Sequence, residues 1–474
     1  AIIDEKGNDV DYTIIKSRDL TDYVLSQTIM LDPSRKFYVP DQVLEVTMAI
    51  KANDVPALGY VQYSIDTQKD SHKETADKKV LENKYYTIEV EENGSLTIVD
   101  KANNVTYKNQ GILVENGDDG DSFNYSPPRK DMEVFSNESK CTVKISGSDI
   151  YDQAEIHFDM VVPADLDERA EGKVSVTMLV DMTVALRKDS KVIDFNVKVD
   201  NKGLSHRLCV LFDSQIVSAF NYADQQFGLI KRPNYYEKEM KLYMESMNNK
   251  TEKKAGIQEL ANWANDQSTW QEPPISIEPT QSYVSLTDGK TGIAVIPQGV
   301  REYEVLDDSK IRLTLFRTYG FMGKENLIYR PGRASGERII ETPAAQLLKE
   351  MEFNFGFTSY AGDINDSDID TLAKQYNTNL EVYTYAEFLN GRLIFSQREI
   401  EGQNAKIHSL FETEGNLVVS AVKKAEEDDG YIIRLYNGKD HKDLDDKIKF
   451  NFDIKEAYYT NLKEEKTEEI KVEN

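Results

Sequence analysis

The chain has 474 residues, well beyond the size at which one hydrophobic core stops growing, so two or three domains with separate cores are expected. Lys+Arg number 57 against 83 Asp+Glu, and the net charge of -26 repels nucleic acid and anionic membrane surfaces. No run approaches the roughly 20 apolar residues that cross a bilayer and no charged-then-apolar leader opens the chain, which predicts a soluble protein with no membrane partner.

The hydrophobic content of 39%, with 26 Tyr and 18 Phe, leans toward sheet, because aromatic and β-branched side chains fit a pleated, half-buried surface. The opening Ala1-Ile2-Ile3-Asp4 lacks an initiator Met and reads like the middle of a gene. Residues 66–80 are polar and charged, and a domain boundary is expected there. Tyr85–Val99 alternates apolar and polar residues around Asn93-Gly94, a dipeptide that accepts the positive φ of a tight hairpin. Asn116–Pro128 combines Gly, Asp, aromatic residues and Pro-Pro at irregular spacing. Such a loop can place acceptor oxygens beside aromatic faces, as a sugar site requires, or be simply an acidic turn or a calcium-like loop.

Val174–Leu186 and Val192–Val199 read as amphipathic strands, with Ile193, Phe195, Val197 and Val199 on one face. Ser205–Phe212 reads as a core strand followed by a connecting loop. Tyr236–Ala264 is charged and has no clean apolar stripe, which predicts a surface insertion. Tyr283–Leu286 and Ile293–Ile296 flank the turn Asp288-Gly289 and repeat the one-face-buried pattern. Within Leu313–Gly320, Arg317 closes the apolar run, and an Arg closing an apolar strand more often pairs with a structural carboxylate than with a substrate. Residues 358–366 suggest a second boundary, Ser367 is positioned to cap a short helix carrying Ile369, Leu372, Ala373 and Tyr376, and Leu417–Val422 with Tyr431–Leu435 make a last hairpin.

The five histidines are dispersed, with no His-x-His or Cys-x-x-Cys pair, and no Walker loop, dinucleotide fingerprint or Gly-x-Ser-x-Gly elbow occurs. Carboxylate pairs are too common among 83 acids to mark a glycosidase dyad. Cys141 and Cys209 lie in strand-like runs, read as buried free thiols, and suit a reducing cytoplasm.

An ordered set of strings spans some 380 residues: Val55–Tyr60, Leu81–Tyr86, the acidic Ser-Pro-Pro loop, His206-Arg207, Trp270–Pro274, Thr342–Gln346, Ser420–Lys424 and Arg434–Asn437. In this order they resemble the C-terminal half of glycoside hydrolase family 38 α-mannosidases, especially the bacterial branch that includes mannosylglycerate hydrolases. The resemblance implies an all-β fold with few helices. It consists of a small β domain over 1–78, a galactose-mutarotase-like β-supersandwich over 79–360 and a C-terminal β-sandwich over 361–474. It places the zinc, the Asp nucleophile and the acid of a retaining double displacement in an N-terminal barrel whose motifs are absent from this sequence. It therefore implies no catalytic residue, metal ligand or cofactor in this chain. The partners it implies are that barrel and, through it, an α-mannoside; it allows a homodimer.

By position, Phe123 matches an aromatic residue that the family sends toward the sugar, a place where the bacterial branch usually has Tyr. Asp121 and Tyr125 match the acidic loop, and Arg317 matches an Arg that shapes the site wall. These four are the candidate rim or support residues. Two other readings stay open: a carbohydrate-binding module, and a mutarotase-like epimerase that needs a His and a Glu converging on one cleft.

Overall fold

A computed structural model describes residues 1–26, 42–250, 272–330, 340–383, 407–440 and 443–473. The fold is all-β, with four α-helices among the described residues. Its body is a ten-stranded antiparallel sheet facing a six-stranded and a four-stranded one. The ten strands run in the order Gly228–Pro233, Phe220–Gln225, Val284–Thr287, Thr291–Gln298, Glu350–Ala361, Ile193–Asp200, Val176–Arg187, Tyr151–Val162, Lys140–Gly147 and Ala76–Asp77. The six run Val134–Phe135, Ile112–Gly117, His206–Asp213, Lys310–Arg317, Glu302–Leu306 and Glu278–Pro279.

Period-two patterning sets the register. Ile193, Phe195, Val197 and Val199 are buried, while Lys198 on the opposite face is exposed. Phe212, from the six-stranded sheet, stitches the layers together. Its ring meets Phe195 edge-on at 5.4 Å and stacks on Phe357 at 5.3 Å, while Phe195 stacks on Phe355 at 5.2 Å. The predicted hairpin is present: Tyr86–Val90 pairs with Leu96–Asp100. Gly94 is required there twice over, by its φ of 80° and because a Cβ would lie 2.5 Å from the Phe158 ring.

Two expectations need correction, and one helix was missed. Val284–Thr287 and Thr291–Gln298 pair as predicted, but Val284, Leu286, Ile293 and Val295 sit in the main core while Ala294 and Ile296 sit in a second one. The outer face is covered by Ile364 and the helix Ile369–Tyr376, which bury it in that second core instead of leaving it to water. The residue at the N-cap of that helix is Asp368, with no side-chain cap bond; the Ser367 hydroxyl receives only the Ile369 amide, at 3.4 Å. Helix Leu166–Glu171 was not anticipated, although its signals stand in the sequence: Asp165 caps the amides of Asp167 and Glu168, and Gly172 closes it in the left-handed region.

Glu237–Lys250 is helical, and residues 251–264 of the predicted insertion lie outside the described residues, as do Trp270 and Gln271. Cys209 is buried and Cys141 partly so, both as free thiols. No helix among the described residues is long and apolar enough to cross a membrane.

Candidate functional site

The strand Ile112–Gly117 is buried along its whole length, and the acidic loop leaves the sheet from its end. Gly117 permits this exit, because a Cβ there would meet Pro128 and Arg169 at 2.6 and 2.7 Å. The loop then folds into a tight tip. The Asp119 amide donates to the Ser126 carbonyl (2.8 Å) and the Asp121 amide to the Asn124 carbonyl (3.0 Å). Gly120 is crowded against that turn, with a Cβ position only 2.0 Å from the Asn124 oxygen.

Two arginines, 199 and 209 residues further along the chain than their partners, lock the tip. Arg317, closing the strand Lys310–Arg317, donates twice to Asp118 (2.6 and 3.2 Å) and also to the carbonyls of Asp121 (2.9 Å) and Asn124 (2.8 Å). This fork geometry suits guanidinium and no other side chain. Arg330 pairs with the fully buried Asp121 and also reaches the Asn124 side chain. Asp121 further accepts the amides of Lys324 (2.8 Å), Phe123 (3.0 Å) and Asn124 (3.1 Å). Burial pushes its carboxyl pKa up, but Arg330 and these amides outweigh burial and hold it below the usual carboxylate range. The partner loop adds Lys324 to Asp119, and the Ser122 hydroxyl donates to the Met322 carbonyl at 2.6 Å.

Tyr125 turns inward. Its hydroxyl accepts from Asn116 Nδ2 (3.0 Å), its ring lies 3.9 Å beneath the Arg207 guanidinium, and Tyr329 meets it edge-on. Of the four residues singled out in the sequence, only Phe123 is exposed, with 60% of its surface open. The structure brings all four together: Asp121, Phe123 and Tyr125 share one loop, Arg317 braces it from the end of the strand Lys310–Arg317, and Phe123 stands exposed at its tip.

Beneath the loop lie two buried charge clusters that sequence reasoning missed. Arg207 bonds Asn116 (3.0 Å) and Glu304 (2.8 Å), and Arg312 bonds Glu304 (2.9 Å) and Glu133 (2.7 Å). Arg169 pairs with Glu115, which also faces His206 Nδ1 at 3.0 Å, while His206 Nε2 meets Asn201 at 2.8 Å. A His and a Glu therefore do converge, but both are fully buried and both imidazole nitrogens are occupied. No epimerase cleft opens there. Among the described residues no group of three or more His, Cys, Asp or Glu is arranged to hold a metal ion.

The sequence profile of "Glycosyl hydrolases family 38 C-terminal domain" matches residues 81–321, and that of the "Glycosyl hydrolases family 38 C-terminal beta sandwich domain" matches 416–474. The chain belongs to glycosyl hydrolase family 38. A relative from Halalkalibacterium halodurans, named "Putative mannosylglycerate hydrolase", is 23% identical over 83% of this chain and 40% of its own length. Two solved structures from Enterococcus faecalis, an alpha-mannosidase and a family 38 protein, share its fold at TM-scores of 0.67 and 0.66 with 19% identity. Each is covered over 92% of this chain, and over 45% and 46% of the solved chains. The chain thus spans less than half the length of each of these three proteins.

Proposed function

We propose that this chain is the C-terminal β portion of a retaining, zinc-dependent α-mannosidase acting on short or glycerate-linked α-mannosides, and that it frames the active site without running the chemistry. In this reading the zinc, nucleophile and acid belong to a catalytic barrel of the parent polypeptide, and this chain by itself is inactive. The observation that carries it is Phe123, an exposed aromatic ring at the end of a hairpin fixed by two buried Arg–Asp pairs. A rigid apolar contact of this kind excludes water from one side of a sugar and costs little ordering on binding. Phe at this place supplies ring contact without the hydroxyl that a Tyr would add.

The test is Phe123→Ala in the full-length parent with an aryl α-mannoside. The expected result is a drop of about tenfold in kcat/KM, the order of one aromatic contact, with folding unchanged. Unaltered kinetics would remove the rim role. A second reading, a stand-alone carbohydrate-binding or structural module, draws on the same exposed ring. Calorimetric titration of mannobiose into the purified chain and its Asp121→Ala variant separates the two at the hairpin, since heat that is absent from both, or equal in both, leaves the hairpin as scaffolding.

A further inference from the structure

A different surface, on the ten-stranded sheet, carries its own recognition chemistry. Phe220 and Tyr222 stand two residues apart on the strand Phe220–Gln225, so both rings leave the same face. In the neighbouring strand Gly228–Pro233, Lys231 lies opposite Tyr222, and its ammonium sits 4.5 Å from the Phe220 ring centre and 5.6 Å from that of Tyr222. These three, with Thr287, Asp288 and Asp363, line a hollow of about 340 Å³. That is near the lower end of the roughly 300–1,000 Å³ range of small-ligand sites.

The polar groups are held in advance. Asp288 Oδ1 accepts the amides of Lys290 (2.8 Å) and Thr291 (2.9 Å), and Asp363 Oδ1 accepts the Asn365 amide (2.9 Å) and side-chain nitrogen (3.0 Å). Each carboxylate is thus oriented through one oxygen, which leaves the other to accept from a ligand. The floor is rigid as well, because Phe220–Gln225 pairs along its length with Gly228–Pro233, and Tyr222 and Ala223 also pair with Ser285 and Val284 on the other side. A ligand stacking on the rings must turn the exposed Lys231 side chain aside, and otherwise pays little for ordering the hollow.

The rings already attract a positively polarised group, as the Lys231 ammonium shows. The C–H face of a pyranose has the same polarity without a charge to desolvate, and its hydroxyls are donors for carboxylates. A polyanion is disfavoured by the net charge of -26.

We infer that this hollow is a second glycan-binding site, distinct from the Phe123 hairpin, which stacks a neutral hexopyranoside on Phe220 and Tyr222 and hydrogen-bonds it through Asp288 and Asp363. It rests on the proposed function only in taking α-mannosides as the ligand class. The test titrates α-mannobiose into the purified chain, wild type against Phe220→Ala, Lys231→Met and Phe123→Ala, with affinity read by ligand-observed NMR and folding by circular dichroism. Phe220 is 43% exposed, so its truncation leaves the core intact. Expected is an affinity loss of about tenfold in Phe220→Ala, greater than any loss in Lys231→Met or Phe123→Ala. Wild-type binding in Phe220→Ala, or no binding by the wild type, overturns the site. Loss confined to Phe123→Ala overturns it too while supporting the hairpin reading, whereas loss confined to Phe220→Ala supports this site and leaves the hairpin unsupported as an independent binder.

Discussion

Replacing Arg330 by Ala isolates the pairing on which the Phe123 hairpin depends. The substitution leaves Asp121, fully buried, with three backbone amides and no counter-charge. Removing one partner of a buried ion pair costs about 3–5 kcal/mol, because the remaining charge is stranded. Much of that cost falls on the hairpin itself, since opening it returns Asp121 to water. Hydrogen exchange at the Phe123, Asn124 and Lys324 amides reads the effect, and a loss of about 3 kcal/mol accelerates exchange at least about 100-fold. Asp121→Asn in the Arg330→Ala background should restore part of the protection, because the stranded charge is gone. Unchanged exchange at these amides in Arg330→Ala would refute the claim that the buried pair fixes the hairpin.

The pH dependence follows from the same group. The Asp121 carboxyl is held below its unfolded value, so its contribution is fully present above the ordinary Asp range near pH 4 and is lost as pH falls through the folded pKa; amide protection in the hairpin should hold from pH 7 to about 4 and collapse below. Asp224 has the opposite sign: burial raises it to about 6, so stability falls as pH rises from about 4 to 6, and Asp224→Asn should gain relative stability between pH 5 and pH 8 in denaturant melts. An equal effect at both pH values would show that Asp224 titrates normally. Phe212→Ala removes a ring packed on Phe195, Phe355 and Phe357, and about 3–5 kcal/mol of stability should go with it; a loss under 1 kcal/mol would mean that the sheets do not share this core. Gly120→Ala puts a methyl group 2.0 Å from the Asn124 carbonyl oxygen, so exchange in the hairpin should rise while the melting temperature of the sheet body moves little.

Strands were legible wherever one face meets the core and the other meets water, as in Ile193–Asp200, because burial writes a period of two directly into the residue types. Where both faces are covered, as in Thr291–Gln298, that contrast disappears, and the covering helix lies some seventy residues away in sequence. The Phe123 loop stood out by composition, yet what makes it rigid was hidden. Arg317 meets Asp118 across 199 positions and Arg330 meets Asp121 across 209, and no local spacing encodes either contact. The same holds for Glu115, Arg169 and His206, each unremarkable until the fold brings them together.

The central claim is that this chain supplies a rim to chemistry located elsewhere in its parent. The most direct measurement compares hydrolysis of an aryl α-mannoside, with zinc supplied, by the purified chain, by the full-length parent and by the parent carrying Phe123→Ala. The account predicts turnover by the parent, none by the chain alone, and a loss of about tenfold in kcat/KM on truncating Phe123. Turnover by the isolated chain, or a parent indifferent to Phe123, would contradict it.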